Sequence, residues 1–296
     1  MKRRVDQYRS LFMALHRQKN SLSLAKLTPV MRRIVIAMSH INEPNKYLKA
    51  AEGLRFQRGQ REFIEKGIEM SSPYLAALEQ IFEESGVPRD LAKLAFVESS
   101  FNTKALSKVG ASGVYQLMPF TARQYMQVDG LIDERKDPIK SGYAAAQVLK
   151  TNYRILGTWP LAITSYNHGP YGIRRAVRAA GSKDLNHLIQ NYDGKMFGFA
   201  SKNFYAEFLA ILVTLNDRSR VFPNAKLQPA IAFKAIKLVR RTPIKTIIRN
   251  HKITQLEFLK YNPGITVQAV SANISLKRGH MVILPDTTNS KLAESN

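Results

Sequence analysis

The sequence predicts a mainly α protein that closes with a small β-α-α-β module. Three observations predict it. Residues 1–225 carry repeated helix-start signals and apolar residues at helical spacing, with no convincing run of strands before residue 230. FPNAKLQPA (222–230) holds two prolines and reads as a linker. Beyond it the pattern turns to strand-like apolar runs around two short helical stretches. Three regions follow: a basic helical region at 1–70, a working domain at 71–225, and a C-terminal module with its tail at 226–296.

Residues 1–70 read as short basic helices broken near Glu43-Pro44. Ser72-Pro73 reads as an N-cap and first helical residue, for a helix running to about Ser85-Gly86. Pro88 takes the first position of the next helix, where a missing N–H costs nothing. Residues 102–119, with Gly110, Gly113 and Pro119, read as a loop with one helical turn. Asp137-Pro138 opens a helix in which alanines 144–146 permit close helix approach, and residues 160–180 and 200–215 are further helical stretches. In the module, Phe233 to Val239 form a strand, and Thr242-Pro243 opens a short helix. Thr254 and Glu257 form a capping box, Asn262-Pro263-Gly264 is a turn, and Met281–Pro285 is the closing strand.

Composition narrows the chemistry. The 296 residues are 45% hydrophobic, enough for a core, and no apolar run has the length of a membrane span or a secretory leader. With no cysteine, disulfides, thiolate nucleophiles and Cys-ligated zinc are excluded. The six histidines are scattered and no nucleotide-binding or serine-elbow motif occurs, so neither cofactor nor metal is expected. The net charge of +23 is concentrated on the flanks: +9 over 1–70, +5 over 71–225 and +9 over 226–296. The ends therefore suit an anionic surface, whether nucleic acid, anionic lipid or cell-wall polymer.

One residue breaks the apolar pattern. In LAKLAFVESSF (91–101), Leu91, Leu94 and Ala95 form a helical stripe whose next member is Glu98. A carboxylate on that face either tips into water at the helix end, makes a structural ion pair, or is buried with its pKa raised. The last state is what a general acid needs.

Four further segments stand in order behind it: Ser107 and GASGVYQLMP (110–119), DERKDP (133–138), WPLAITSYNHG (159–169) and FGFASKNFYAEFLA (197–210). Together with VESSF they resemble the lytic transglycosylases of the soluble-type, goose-lysozyme-like superfamily, most of all the membrane-bound lytic murein transglycosylase D branch, over roughly residues 50–220. The resemblance implies a lysozyme-like helical domain at 71–225. It implies an enzyme that cuts the β-1,4 bond between N-acetylmuramic acid and N-acetylglucosamine in peptidoglycan without water, leaving a 1,6-anhydro end. It makes Glu98 the single general acid and base. It places Ser107 near the acid, Gln116 and Asn167 on the sugar, Met118 as an apolar wall and Gly113 where backbone approaches a sugar. Tyr166 would hold the Glu98 carboxyl, Tyr115 would offer a stacking face, and Tyr192 and Tyr205 rank lower as groove residues. A periplasmic or cell-envelope location and peptidoglycan strands as partner come with it.

The residues leave other readings open. An ordinary glycosidase uses two carboxyl groups, so Asp133, Glu134 or Asp137 could fold back as the second. More simply, Asp137 is an N-cap and Asp133–Arg135 an ion-pair cluster. His168 reads as a loop histidine, Trp159 as helix-start packing, and Phe197, Phe199, Phe204 and Phe208 as core. The C-terminal module resembles LysM, a binder of N-acetylglucosamine glycans, but Arg240-Arg241-Thr242-Pro243 stands where that family has Gly-Asp-Thr-Leu, so glycan binding and basic docking both remain. A water-using muramidase and a non-catalytic peptidoglycan binder are the rival functions. A nucleic-acid binder is disfavoured by the lack of aromatic interleaving and of any such motif.

Overall fold

The computed structural model describes residues 2–54 and 59–286. It divides into two compact units, Met1–Gln60 and Arg61–Asn296. In the first, α1 (Lys2–Arg17), α2 (Pro29–Ala37) and α3 (Lys46–Gly53) bury Leu15, Leu27, Met31 and Tyr47. Thr28 caps α2, its hydroxyl accepting the Met31 N–H at 3.3 Å, with Pro29 at the first position.

The second unit starts earlier than the sequence boundary at 70. α4 (Arg61–Ser71) places Ile64 and Ile68 in one core with Leu78, Phe82, Leu94 and Phe101, so residues 61–70 belong to the helical body rather than to the basic N-terminal region. α5 (Leu75–Glu84) begins at Leu75 because Ser72 is not its cap. The Ser72 hydroxyl donates to the Glu69 carbonyl and accepts the Gln228 N–H. Pro88 stands one residue before a 3-10 turn, Arg89–Lys93, that leads into α6 (Leu94–Ser99).

Next come α7 (Pro119–Ala122), α8 (Pro138–Leu156), α9 (Trp159–His168), α10 (Pro170–Ala180), α11 (Leu185–Asn191), α12 (Phe199–Asn216) and α13 (Arg218–Val221). α8 follows its sequence signals. The Asp137 carboxylate accepts the Ile139 and Lys140 N–H groups, Pro138 is the first residue, and Gly157 at φ 85° ends the helix. The alanines at 144–146 are buried where α8 meets α5 and α9. Phe197, Phe204 and Phe208 are core, but Phe199, at the start of α12, is 40% exposed. His168 is the last residue of α9, not a loop residue.

The C-terminal module is richer than β-α-α-β. β1 (Phe233–Lys237) pairs antiparallel with β4 (Met281–Pro285), and a second pair joins β2 (Thr242–Pro243) to β3 (Ser275–Leu276). Between them lie α14 (Ile244–Asn250), α15 (Gln255–Tyr261), which carries the expected Thr254–Glu257 capping box, and a third helix, α16 (Val267–Ser271). Residues 222–232 have neither helix nor strand, yet they are tied down. Lys226 N–H donates to the Glu69 carboxylate and Ile231 N–H to the Pro73 carbonyl.

The module is stitched to the helical body. Asp133 N–H donates to the Gly264 carbonyl at 2.7 Å, Thr266 N–H donates to Leu131 O, and Ile132 enters the module's core beside Phe258 and Ile265. Gly264 permits this approach, since a Cβ there would lie 2.6 Å from the Asp133 carbonyl oxygen. Inside the module, the buried Asn262 amide joins helix to strand. It donates to Phe258 O and Ile283 O and accepts the Ile283 N–H. Asn262→Ala would strand those buried backbone groups, so we expect a loss of about 2–4 kcal/mol in denaturant unfolding of the full chain. An unchanged midpoint would show that water replaces the amide.

Candidate active site

Glu98 occupies the last turn of α6, on the stripe with Leu91, Leu94 and Ala95, all buried. The helix ends sharply: Ser100 and Phe101 take consecutive left-handed conformations, φ 51° and 57°. Non-glycine residues hold this state only where the surroundings enforce it. Phe101 is fully buried, and the Ser99 hydroxyl donates to Val114 O, tying α6 to the loop opposite. Glu98 is half-buried and, among the described residues, its carboxylate takes no hydrogen bond or ion pair. Burial, reinforced by the charge of Glu207, pushes its pKa up to about 8. At neutral pH the carboxyl therefore carries its proton.

Residues 106–117 build the facing loop through two bridges, Leu106 with Ser112 and Ser112 with Leu117. Gly113 (φ 77°) is buried under the Arg135 carbonyl, where a Cβ would lie 1.7 Å from that oxygen. Its missing side chain thus admits protein backbone rather than a sugar. Tyr115 is likewise turned away from any groove. It is fully buried, stacks on Phe82, and donates its hydroxyl to Ala92 O at 3.0 Å. The Ser107 hydroxyl, half-buried, accepts the Ala111 N–H at 2.9 Å and so closes its own loop.

Gln116, Met118 and Tyr166 do come together. They line one cavity of about 540 Å³. Gln116 sits at φ 47°, and its amide nitrogen donates to Gly113 O at 2.8 Å, which fixes the side chain in the wall. Met118 is exposed, as an apolar wall should be. The Tyr166 hydroxyl donates to Tyr115 O at 2.9 Å instead of to Glu98. Tyr166 nevertheless lies near enough for the Glu98 charge to help burial raise its pKa, so it belongs to both the cavity wall and the acid's surroundings. Asn167 is exposed, and its Oδ1 accepts from the Ser201 hydroxyl, which also meets His168 Nδ1 at 3.1 Å. Burial and Arg175 lower the His168 pKa, keeping it neutral at pH 7. Tyr192 and Tyr205 are half-buried: Tyr192 packs on Phe197 and Tyr205 between two apolar clusters, and neither lines the cavity.

None of the acids at 133–137 serves Glu98. Asp133 pairs with Arg135, Glu134 with Lys140, and Asp137 caps α8 with its pKa pushed up to about 6 by burial. The carboxylate that reaches Glu98 electrostatically is Glu207 of α12, which the sequence reading missed. Its one signal was a lone acid in the apolar run YAEFLA. Phe120 and Tyr171 were also missed. They are 80% and 62% exposed in the cavity wall, each directly after a helix-opening proline.

Parts of the chain are similar to known proteins. The Transglycosylase SLT domain model matches residues 77–189. The membrane-bound lytic murein transglycosylase D of Escherichia coli is 29% identical over 172 residues, 54% of this chain and 38% of that protein. The chain thus spans well under half the length of that relative. Two solved structures are also similar: an inactive mutant of the lytic transglycosylase Slt from Pseudomonas aeruginosa (17% identity, TM-score 0.43, 77% of this chain and 38% of that one) and the 70 kDa soluble lytic transglycosylase of Escherichia coli (20%, 0.40, 70% and 37%).

A raised carboxyl pKa has a stability cost with a definite sign. Between the ordinary value of 4.5 and about 8 the folded protein holds a proton that the unfolded chain has lost, so stability falls as pH rises through that window. Glu98→Gln mimics the protonated form. We expect thermal unfolding of the variant to match wild type at pH 4 and to exceed it at pH 9 by on the order of 3 kcal/mol, at about 1.4 kcal/mol per pKa unit less solvent screening. Equal curves at pH 9 would mean Glu98 ionises freely.

Proposed function

With residues 77–189 as a transglycosylase SLT domain, we propose that this chain is a lytic transglycosylase that cuts peptidoglycan between N-acetylmuramic acid and N-acetylglucosamine. The observation that carries the reading is Glu98: helix-borne, half-buried, without a partner among the described residues, and holding its proton at neutral pH. It protonates the glycosidic oxygen as the bond breaks, then accepts the proton of the muramic 6-hydroxyl as that oxygen closes on C1. Proton and oxygen balance without water, and the product is a 1,6-anhydro end. The exposed faces of Phe120, Tyr171 and Met118 suit the apolar faces of sugar rings, and Gln116 suits their polar groups. Ser107 and Asn167 would contact the sugar from the loop and from the end of α9.

Glu207 supports a second reading. Two carboxyl groups at one bond are the equipment of a hydrolase, and Glu207 could activate water. The basic C-terminal module, LysM-like in its Asn262-Pro263-Gly264 turn, would hold the chain to glycan or to an anionic envelope surface. The expected place of work is the periplasm or cell envelope. No described helix is long and apolar enough to cross a membrane.

Digestion of purified peptidoglycan followed by mass spectrometry separates these readings. The transglycosylase gives muropeptides one water lighter than hydrolysis products, and Glu98→Gln gives none. Hydrated reducing ends would make the chain a muramidase, and no release from either protein would make it a binder.

A further inference from the structure

A second cavity, of about 840 Å³, lies where the C-terminal module meets the 125–143 segment. Its volume is that of a site for a ligand of several residues. Lys237, Lys277 and Arg278 line it from the module, and among the described residues none of their three side chains has an ion pair or hydrogen-bond partner. The other charges in the wall, Glu134 and Lys140, neutralise one another at 2.8 Å. Asp129 feels Lys277 but is hydrogen-bonded to Gln127 and to the backbone of Leu131 and Ile132.

Deeper in the wall is His280, whose side chain is only 5% exposed. Its Nε2 stands 3.2 Å from the Glu134 carboxylate, yet this buried nitrogen makes no hydrogen bond. Burial pushes its pKa down to about 4, so it is a neutral polar group awaiting a partner. Apart from Gln127 the remaining wall is mostly apolar and aromatic, with Ile236, Met281, Tyr125 and Tyr143. Cations at the rim, apolar walls and one buried polar nitrogen suit a peptide with free carboxylates better than a bare polyphosphate.

Position identifies the peptide. Tyr125 lines this cavity and also the one walled by Gln116, Met118 and Tyr166, of which Tyr166 feels the charge of Glu98. A ligand whose sugars lie in the first can pass a branch along Tyr125 into the second. We infer that the junction cleft takes the acidic peptide stem carried by the glycan, with Lys277, Arg278 and Lys237 on its carboxylates and His280 on its amides. This rests on the peptidoglycan reading above, and it makes the cleft a specificity device for peptide-bearing over naked glycan.

Calorimetry on the full chain tests it, with a free alanyl-glutamyl-diaminopimelyl-alanine tetrapeptide and a peptide-free chitooligosaccharide as separate probes. The double variant Lys277→Ala/Arg278→Ala is compared with Lys104→Ala/Lys260→Ala, an equal loss of charge at a different cleft. The tetrapeptide should bind saturably to wild type, about tenfold more weakly to the first variant, and unchanged to the second. The chitooligosaccharide should bind all three alike. No tetrapeptide binding, or equal weakening in both variants, overturns the cleft. Tetrapeptide binding with that pattern but no binding of the chitooligosaccharide supports the cleft and counts instead against the glycan groove.

Discussion

The structure turns on the segment DERKDP at 133–138, in which Asp133, Glu134, Arg135 and Asp137 each hold neighbouring elements in place. The Arg135 guanidinium pairs with Asp133 and donates to the carbonyls of Gly110 and Leu117, clamping the loop that faces Glu98. The Arg135 carbonyl fills the space left by Gly113 in the same loop. Glu134 takes the Gln127 N–H and the Lys140 ammonium, so one buried carboxylate joins loop and helix. Asp137 starts α8, and the Asp133 N–H reaches Gly264. Buried charges survive when each is paired and hydrogen-bonded, and here almost every one is.

Against that background the isolation of Glu98 is a contrast with chemical meaning. The three acids at 133–137 are paired or serve as a cap, whereas Glu98 is left without a partner among the described residues and therefore keeps its proton. The left-handed Ser100 and Phe101 follow it within three residues. Strain concentrated there is consistent with a carboxyl fixed in place by packing rather than by hydrogen bonds. Glu207 adds like charge without adding a hydrogen bond, which raises the acid's pKa further.

Much of this was legible from local rules. Helix-start chemistry located α8 through Asp137-Pro138 and α15 through its capping box, and helical periodicity put Glu98 on the buried stripe. Local rules failed where distant chain competed for the same groups. Ser72 bonds residue 228 rather than capping α5, and Tyr166 finds the Tyr115 carbonyl rather than Glu98. Gly113 and Tyr115 of the same motif are packed against the Arg135 carbonyl and beneath Ala92, whereas Gln116, Leu117 and Met118 line the cavity. Glu207, more than a hundred residues from Glu98 in sequence, was beyond any argument from spacing. So was α16, whose five residues are too few to show a helical period.

Catalysis of the proposed kind depends on one protonated side chain, and that proton can be observed directly. Carbon-13 NMR can follow the carboxyl of Glu98 in the full chain, assigned by its disappearance in Glu98→Gln. A titration midpoint near about 8 is what the buried, partnerless carboxyl predicts. A midpoint near 4.5, the ordinary value, would mean that the group is an exposed carboxylate at neutral pH, and the case for it as the acid would be lost.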